Sequence, residues 1–562
     1  MTGRGLRLGA ALLLASALLT QPLVTTPARA AVYPTAAVAA DHPIASQVGA
    51  DILAAGGNAA DAAVAVALAL GVLNPFASGI GGGGFALYHD AASGETVALD
   101  FRETAPERAH RDMYVVNGQV DRARFLHGGL AVAVPGEVAG LHALHERFGR
   151  LPWRDVVTPA VRLARDGFEV GELLPDRLAR INPDEHRDLA RLYQVDGRWV
   201  QAGETLRQPA LARTLTAIAA EGPNGFYRGA VAQDLVATVR RTGGVLSMRD
   251  LRDYRVQWLE PLEGTVSGHR VVSFPPPSSG GLVLLQALGV LEGYALERLS
   301  PIAPYALHLI AETLAHAFAD RAIWMSDPSF YSVPSERLLS GQRRQQIRDA
   351  LNPARTLDPE DYGVIRPPRD DGGTSHLSVV DADGNAVALT TTVNTLFGAR
   401  VVGMRSGVVL NNEMSDFSPQ PGQPNVFGLL SSDANAIEAG KRPLSSMTPV
   451  LVFDADGALV GTLGGSGGPR IITATLQVLL HLLRGEVDTE TAVALPRVHH
   501  QWFPFLVFVN AGFDDETIRG LESYGHEVQH VNWEAAVQAI WRREGGWDAA
   551  SDPSKRGAPA GY

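Results

Sequence analysis

Gly372-Gly373-Thr374-Ser375-His376-Leu377-Ser378-Val379-Val380-Asp381-Ala382-Asp383-Gly384-Asn385-Ala386-Val387-Ala388-Leu389-Thr390-Thr391-Thr392-Val393-Asn394 is the stretch on which the fold of this chain turns. Residues 374–380 alternate as a strand does, 381–385 are turn formers, and 386–392 alternate again, so the segment predicts a β-hairpin. The residues before it, 355–373, are rich in Pro, Asp, Arg and Gly and poor in apolar side chains. They predict an exposed, flexible segment. Thr374 therefore stands where a mobile loop meets the first residue of a buried hairpin.

Outward from the hairpin, local signals mark further elements. His42-Pro43 starts a helix and Gly56-Gly57 stops it. Asn58 is placed to cap a second helix, Ala59 to Leu73, which ends at Asn74-Pro75. That helix is Ala, Val and Leu on nearly every face, with Asp61 as its charge. It is too short to span a bilayer and reads as buried on all sides. Residues 85–88 and 97–101 read as strands, and 140–148, 156–166 and 206–221 as amphipathic helices. Pro275-Pro276-Pro277-Ser278-Ser279-Gly280-Gly281 precedes another apolar helix. There is no internal repeat or low-complexity tract. Strands and helices intermix throughout, so the class is α/β or α+β with layered sheets.

The 562 residues, 46% hydrophobic and 19% charged, have an ordinary globular composition. A formal net charge of −12 argues against a nucleic-acid partner, which wants a basic patch. Cysteine is absent, so neither disulfides nor thiol chemistry enters. Arg4 and Arg7, the apolar run Leu8 to Leu19 and Ala28-Arg29-Ala30 follow the pattern of a signal peptide over residues 1–30. The run is shorter than the ~18 residues a membrane span needs. The expectation is export, periplasmic or secreted, with a mature start near Ala31 and no stable membrane insertion.

Three motifs compete for attention. Gly79-x-Gly81-x-x-Gly84 matches a dinucleotide fingerprint, but a helix precedes it and a strand follows, the reverse of the required order. A tight loop where backbones approach closely is the simpler reading. Gly464-Gly465-Ser466-Gly467-Gly468 matches a serine nucleophile elbow between a strand at 459–463 and a helix from Pro469, with Asp488 and His499 or His500 downstream. The same glycines could instead present backbone N–H groups to an oxyanion. The pair His499-His500 lacks partners at ligand spacing, so no metal site is predicted there.

The segment around Thr374 resembles the nucleophile segment of the γ-glutamyltransferase (γ-glutamyl transpeptidase) family. Five further stretches resemble that family in the same order: 56–64 with 81–85, 100–106, 275–281, 411–417 and 442–447. The ends Ala550-Ser551-Asp552-Pro553 and Ala560-Gly561-Tyr562 are similar too. The resemblance implies an Ntn-hydrolase fold, a four-layer αββα sandwich formed by two subunits of one precursor, large 31–373 and small 374–562. It implies that the Thr374 hydroxyl attacks the Gly373 carbonyl and that water opens the resulting ester. Glycines at 372 and 373 allow the strained geometry this needs. The freed α-amine, with a reference pKa of about 7.7–8.0, then serves the hydroxyl as general base.

By motif position, Thr392 orients the nucleophile, and Gly467 and Gly468 form the oxyanion hole, which leaves Ser466 as loop filler. Arg102 grips a donor's α-carboxylate with Ser445 and Ser446, while Asn394, Glu413 and Asp416 hold its α-ammonium. Phe427 stands where many relatives have a tyrosine over the donor site, which leaves the balance of hydrolysis and transfer open. The loop 419–441 is present, as in γ-glutamyl enzymes and unlike the open-cleft cephalosporin acylases. The implied function is transfer of a γ-glutamyl group from glutathione, glutamine or γ-glutamyl peptides, through a threonyl ester, to water or an amine. No cofactor or metal is required, and the partners are small molecules and the two subunits themselves. The competing functions are an acylase of the same fold, a Ser466 hydrolase, and an exported binding protein that kept the pocket without the chemistry.

Overall fold

A computed structural model describes residues 31–362, 373–420, 423–532 and 535–562. The expected signal peptide at 1–30 and the part of the expected linker at 363–372, Gly372 included, lie outside the described residues. The hairpin forms as its alternation predicts: Gly373–Val380 pairs antiparallel with Ala386–Asn394. Both strands are buried along their whole length, as strands inside a covered sheet must be. Asp381 shapes the turn. Its carboxylate accepts the N–H groups of Asp383 and Asn385 at 3.0 and 2.9 Å, and that of Ala59 at 2.9 Å.

That last bond ties the turn to the helix Ala59–Leu73, whose ends are those the sequence signals. Asn58 and Asp61 form a reciprocal capping box. Asp61 also accepts from the N–H groups of Arg150 and Leu151, at 2.9 and 3.2 Å, so the charge in this apolar helix serves backbone donors. The helix Pro43–Ala54 begins at His42 as expected, with the His42 ring accepting from the Ile44 N–H.

Two antiparallel seven-stranded sheets carry the core. In one, the order is Gln257–Leu259, Thr96–Phe101, Gly83–His89, Ala386–Asn394, Gly373–Val380, Ala37–Ala40 and Ala560–Gly561. In the other, it is Ala31–Tyr33, Gly546–Ser551, Ala536–Arg543, Leu459–Ser466, Val450–Phe453, His269–Ser273 and Leu262–Val266. Small residues such as Ala37, Ala98, Ala386 and Ala388, with Phe85, Phe274 and Ile540, fill the space between the sheets. The helices Pro43–Ala54, Ala59–Leu73 and Glu137–Phe148 cover the first sheet. Gly280–Leu291 and Arg470–Arg484 cover the second, with Pro304–Trp324 packed beside Gly280–Leu291. The result is four layers, helix–sheet–sheet–helix, as the resemblance implies.

Each sheet mixes strands from both sides of Thr374: four before and three from it onward in the first, three and four in the second. A cut there would leave two pieces sharing both sheets. One expectation is corrected. In the segment expected to be exposed from Arg355 onward, Arg355, Asp358, Glu360 and Asp361 are exposed, but the short helix Pro359–Tyr362 buries Tyr362. The buried Tyr362 hydroxyl donates to Glu312 at 2.5 Å, and Trp502 Nε1 donates to the Pro359 carbonyl at 3.2 Å. One aromatic side chain anchors a stretch whose composition otherwise reads as loop. Among the described residues, no helix is long and apolar enough to cross a membrane.

Candidate active site

Thr374 lies at the start of the hairpin's first strand, facing a local irregularity in the second. The register shifts between Gly373 and Thr374, which pair with Asn394 and Thr392, so Val393 is left out of the ladder. Val393 instead donates its N–H to the Ala77 carbonyl, and Asn394 takes a left-handed φ of 79°. Bulges of this kind re-aim side chains, and asparagine tolerates the left-handed region better than most residues.

The bulge brings three groups into line. Thr392 Oγ1 donates to the Gly373 carbonyl oxygen at 2.7 Å. Having spent its one hydrogen there, it accepts from the Thr374 hydroxyl at 3.1 Å and from the Asn394 N–H at 2.8 Å. The direction of the chain is therefore fixed: Thr374 O–H to Thr392 O–H to the carbonyl of Gly373. One hydroxyl thus contacts both the Thr374 hydroxyl and the carbonyl before it.

A small cavity opens on Thr374. Its walls carry Thr392, Asn394, Arg102, Glu413, Asp416, Ser445, Ser446 and Gly468, residues gathered from across the sequence. Gly467 lies one residue back, against Ala535. Both glycines have positive φ, 132° and 59°, just before the helix Arg470–Arg484. The Phe427 ring lies over Gly468, and Asn394 Nδ2 donates to the Asn412 carbonyl at 3.2 Å and the Ser415 hydroxyl at 3.0 Å.

Arg102 meets two of the other expected site residues directly. Its guanidinium pairs with Glu413 through Nη1 and with Asp416 through Nη2, and its Nε donates to the Pro443 carbonyl at 3.2 Å. Burial alone would lower its pKa, but the carboxylates of Glu413, Asp416 and Glu103 outweigh that and raise it. Burial pushes the Glu413 and Asp416 carboxyls up, with Arg102 opposing. The residue expected to hold the carboxylate thus pairs with two of those expected to hold the ammonium. Among the described residues, three buried polar atoms at this pocket have no hydrogen-bond partner: Glu413 Oε2, Asp416 Oδ1 and Arg321 Nη1.

Arg321 was not singled out from the sequence. It comes from the helix Pro304–Trp324, is fully buried, and donates through Nε to Ser279 Oγ at 2.9 Å. Burial lowers its pKa to about 10 against the opposing pull of Asp416. A buried arginine beside the row His308, Glu312, His316 and Asp320 in that helix was the available signal. Lys555 was missed as well. Its ammonium donates to the Thr374 carbonyl and pairs with the buried Asp41 at 2.7 Å. No local pattern links positions 41, 374 and 555.

The serine triad does not assemble. Ser466 Oγ has Asp41 as its neighbour at 3.5 Å, while His499 bonds Thr473 at 3.0 Å and Gln501 at 2.9 Å. Asp488 caps the helix Thr489–Ala494. His500 Nδ1 accepts from the Trp502 N–H at 3.1 Å. The loop at 79–84 is a close-approach loop: a Cβ on Gly81 or Gly82 would strike the carbonyl oxygens of Val409 and Thr392.

Comparison with known proteins bears on this geometry. A family model described as gamma-glutamyltranspeptidase matches residues 45–562. The glutathione hydrolase proenzyme of Escherichia coli (strain K12) is 40% identical over 535 residues, covering 93% of this chain and 91% of that protein. Glutathione hydrolase 2 of Arabidopsis thaliana is 39% identical over 552 residues, 94% of this chain and 93% of that one. Among solved structures, the cephalosporin acylase from Bacillus halodurans superposes with a TM-score of 0.83 at 27% identity, over 97% of this chain and 99% of that chain. Helicobacter pylori gamma-glutamyltranspeptidase gives a TM-score of 0.55 at 35% identity, over 61% of this chain and 97% of that chain. Fold, family match and near-full-length relatives agree, and the chain belongs to the gamma-glutamyltranspeptidase family.

Proposed function

We propose that this chain is an exported precursor that cuts itself between Gly373 and Thr374 and then acts as a γ-glutamyl hydrolase and transferase. The observation that carries the proposal is the directed contact from the Thr374 hydroxyl through Thr392 to the Gly373 carbonyl. In maturation, Thr374 Oγ1 adds to the Gly373 carbonyl carbon, and the Gly373–Thr374 C–N bond breaks as the proton reaches the Thr374 nitrogen. Water then hydrolyses the ester, leaving a Gly373 carboxylate and a free Thr374 amine. The pieces 31–373 and 374–562 stay together as a heterodimer, because both sheets draw strands from each.

In turnover the new amine takes the hydroxyl proton, directly or through a water, and Thr374 Oγ1 attacks the donor's γ-carbonyl. The N–H groups of Gly467 and Gly468 receive the oxyanion at the start of a helix. The leaving amine departs with the proton, and water or an acceptor amine opens the γ-glutamyl ester. A γ-glutamyl donor carries an α-ammonium and an α-carboxylate at its far end. The unpartnered Glu413 Oε2 and Asp416 Oδ1 suit the first. Arg321 Nη1, with Arg102 and the Ser445 and Ser446 hydroxyls, suits the second. That paired demand favours a γ-glutamyl donor over the amide side chain of an acylase substrate. Glutathione, glutamine and γ-glutamyl peptides all meet it.

The test is Thr374→Ala, scored for chain cleavage and for release of the chromophore from a γ-glutamyl anilide. Both should be lost. A variant that still turned over the anilide would overturn the assignment of the nucleophile.

A further inference from the structure

Outside the Thr374 pocket, the helix Pro304–Trp324 sets His308 and Glu312 one turn apart on the same face. His526, beyond the helix Asp515–Ser523, arrives on that face from 218 residues along the chain. A ligand-type atom from each residue lies within 4.8 Å of the other two, and all three residues are buried. Sequence spacing alone conceals this cluster.

Hydrogen bonding fixes the state of the rings. His308 Nε2 lies 2.9 Å from the Asn352 carbonyl, which can only accept, so Nε2 carries the ring hydrogen. His308 Nδ1 is therefore a lone pair, and His526 Nε2, at 2.8 Å, donates to it. A ring N–H held by a backbone carbonyl, with a lone pair on the opposite nitrogen, is how metal-binding histidines are usually oriented. Glu312 is held comparably: its two oxygens accept from Thr356 Oγ1 at 2.7 Å and Tyr362 OH at 2.5 Å.

Charge supplies the second argument. Among the described residues, no arginine or lysine pairs with Glu312, and only hydroxyl and backbone donors oppose its burial. A buried carboxylate with no cation is costly, and proteins resolve it by protonation or by a bound metal. Two imidazole nitrogens on one tetrahedral ion, each at about 2.0–2.1 Å, stand roughly 3.3 Å apart. The present separation of 2.8 Å reaches that by a small ring movement.

We propose that His308 Nδ1, His526 Nε2 and Glu312 form a binding site for one divalent transition-metal ion of the zinc type, with water in the fourth position. Binding requires the His526 ring to move its hydrogen to Nδ1 and Glu312 to be ionised, so at most one proton is released per ion. The ion would join helix Pro304–Trp324 to the C-terminal part of the chain. Through Thr356 and Tyr362 it would also hold the stretch leading into the cleavage linker. It lies apart from the pocket on Thr374, so it stabilises rather than reacts.

The test uses the full mature protein. After treatment with a chelator, it is titrated with Co²⁺, read by the visible absorption of four-coordinate cobalt, and with Zn²⁺, read by the thermal midpoint. One ion per chain and a midpoint raised by several degrees are expected. Glu312→Gln and His526→Gln should each abolish the cobalt band and the zinc-dependent shift, while Glu312→Gln keeps its anilide turnover within about twofold. No band and no shift in the wild-type protein would overturn the proposal and leave a hydrogen-bonded network with Glu312 protonated. A band that survives in both variants would overturn it equally, by placing the ion elsewhere.

Discussion

Replacing Thr392 with valine keeps the branched shape but removes the hydroxyl, and the structure says what is lost. Thr392 Oγ1 holds the Thr374 hydroxyl at 3.1 Å, the Gly373 carbonyl at 2.7 Å and the Asn394 N–H at 2.8 Å. The first two belong to the groups that react in the proposed maturation. One positioned donor at a developing oxyanion is worth on the order of 10²–10³ in rate, so maturation of Thr392→Val should slow by about that factor. The third contact sets the folding cost: a buried N–H left without a partner destabilises by about 1–3 kcal/mol. Precursor made by cell-free synthesis, sampled over time and resolved by denaturing mass analysis, gives the cleavage rate directly. Thr392→Ser, which keeps the hydroxyl, should mature near the wild-type rate. If Thr392→Val is folded and matures within threefold of wild type, then Thr392 neither orients Thr374 nor polarises Gly373.

Three further predictions concern the surroundings. Arg321→Gln keeps a donor for Ser279 but removes the charge at the pocket wall; KM for a γ-glutamyl anilide should rise about tenfold or more, with kcat changed less, as steady-state kinetics would show. Lys555→Met strips the buried Asp41 of its cation and should cost about 3–5 kcal/mol in urea unfolding. The double variant with Asp41→Asn should recover most of that loss. Glu137 is fully buried, accepts from Thr391 at 2.6 Å, and is pushed by burial from 4.5 to about 8. The folded state thus keeps a proton that the unfolded chain has released. The stability this gives is complete below pH 4.5 and is lost as pH rises towards 8, by up to about 1.4 kcal/mol per pH unit. Unfolding of Glu137→Gln measured at pH 5 and pH 8 should show a flatter dependence than wild type; identical slopes would exclude a protonated Glu137.

The sequence made legible what local chemistry decides. Alternation at 374–380 and 386–392 marked the hairpin, and Asn58 with Asn74-Pro75 bounded the helix Ala59–Leu73. The order of glycines and helices at 79–84 argued against a dinucleotide loop, and the fold agrees. What stayed hidden depends on groups that only folding brings together. Arg321 reads as one of several polar residues in its helix until that helix is laid beside Ser279. Lys555 and Asp41 meet across two chain ends. The pairing of Arg102 with Glu413 and Asp416 is a property of the pocket, since any of the three alone reads as a solvated charge. Along 355–362 the polar residues are exposed as composition suggests, and only Tyr362 departs from it, because Glu312 is there to bond it.

The central claim is that Thr374 is both the cut site and the nucleophile, and N-terminal sequencing of the smaller fragment, coupled to its intact mass, tests it most directly. A processed protein in which that fragment begins with Thr374 and extends to Tyr562, co-purifying with the larger piece, is the predicted result. The same fragment should gain the mass of a γ-glutamyl group on Thr374 when quenched during turnover. An enzyme that hydrolyses the anilide as one uncut chain, or whose small fragment begins at another residue, would contradict it.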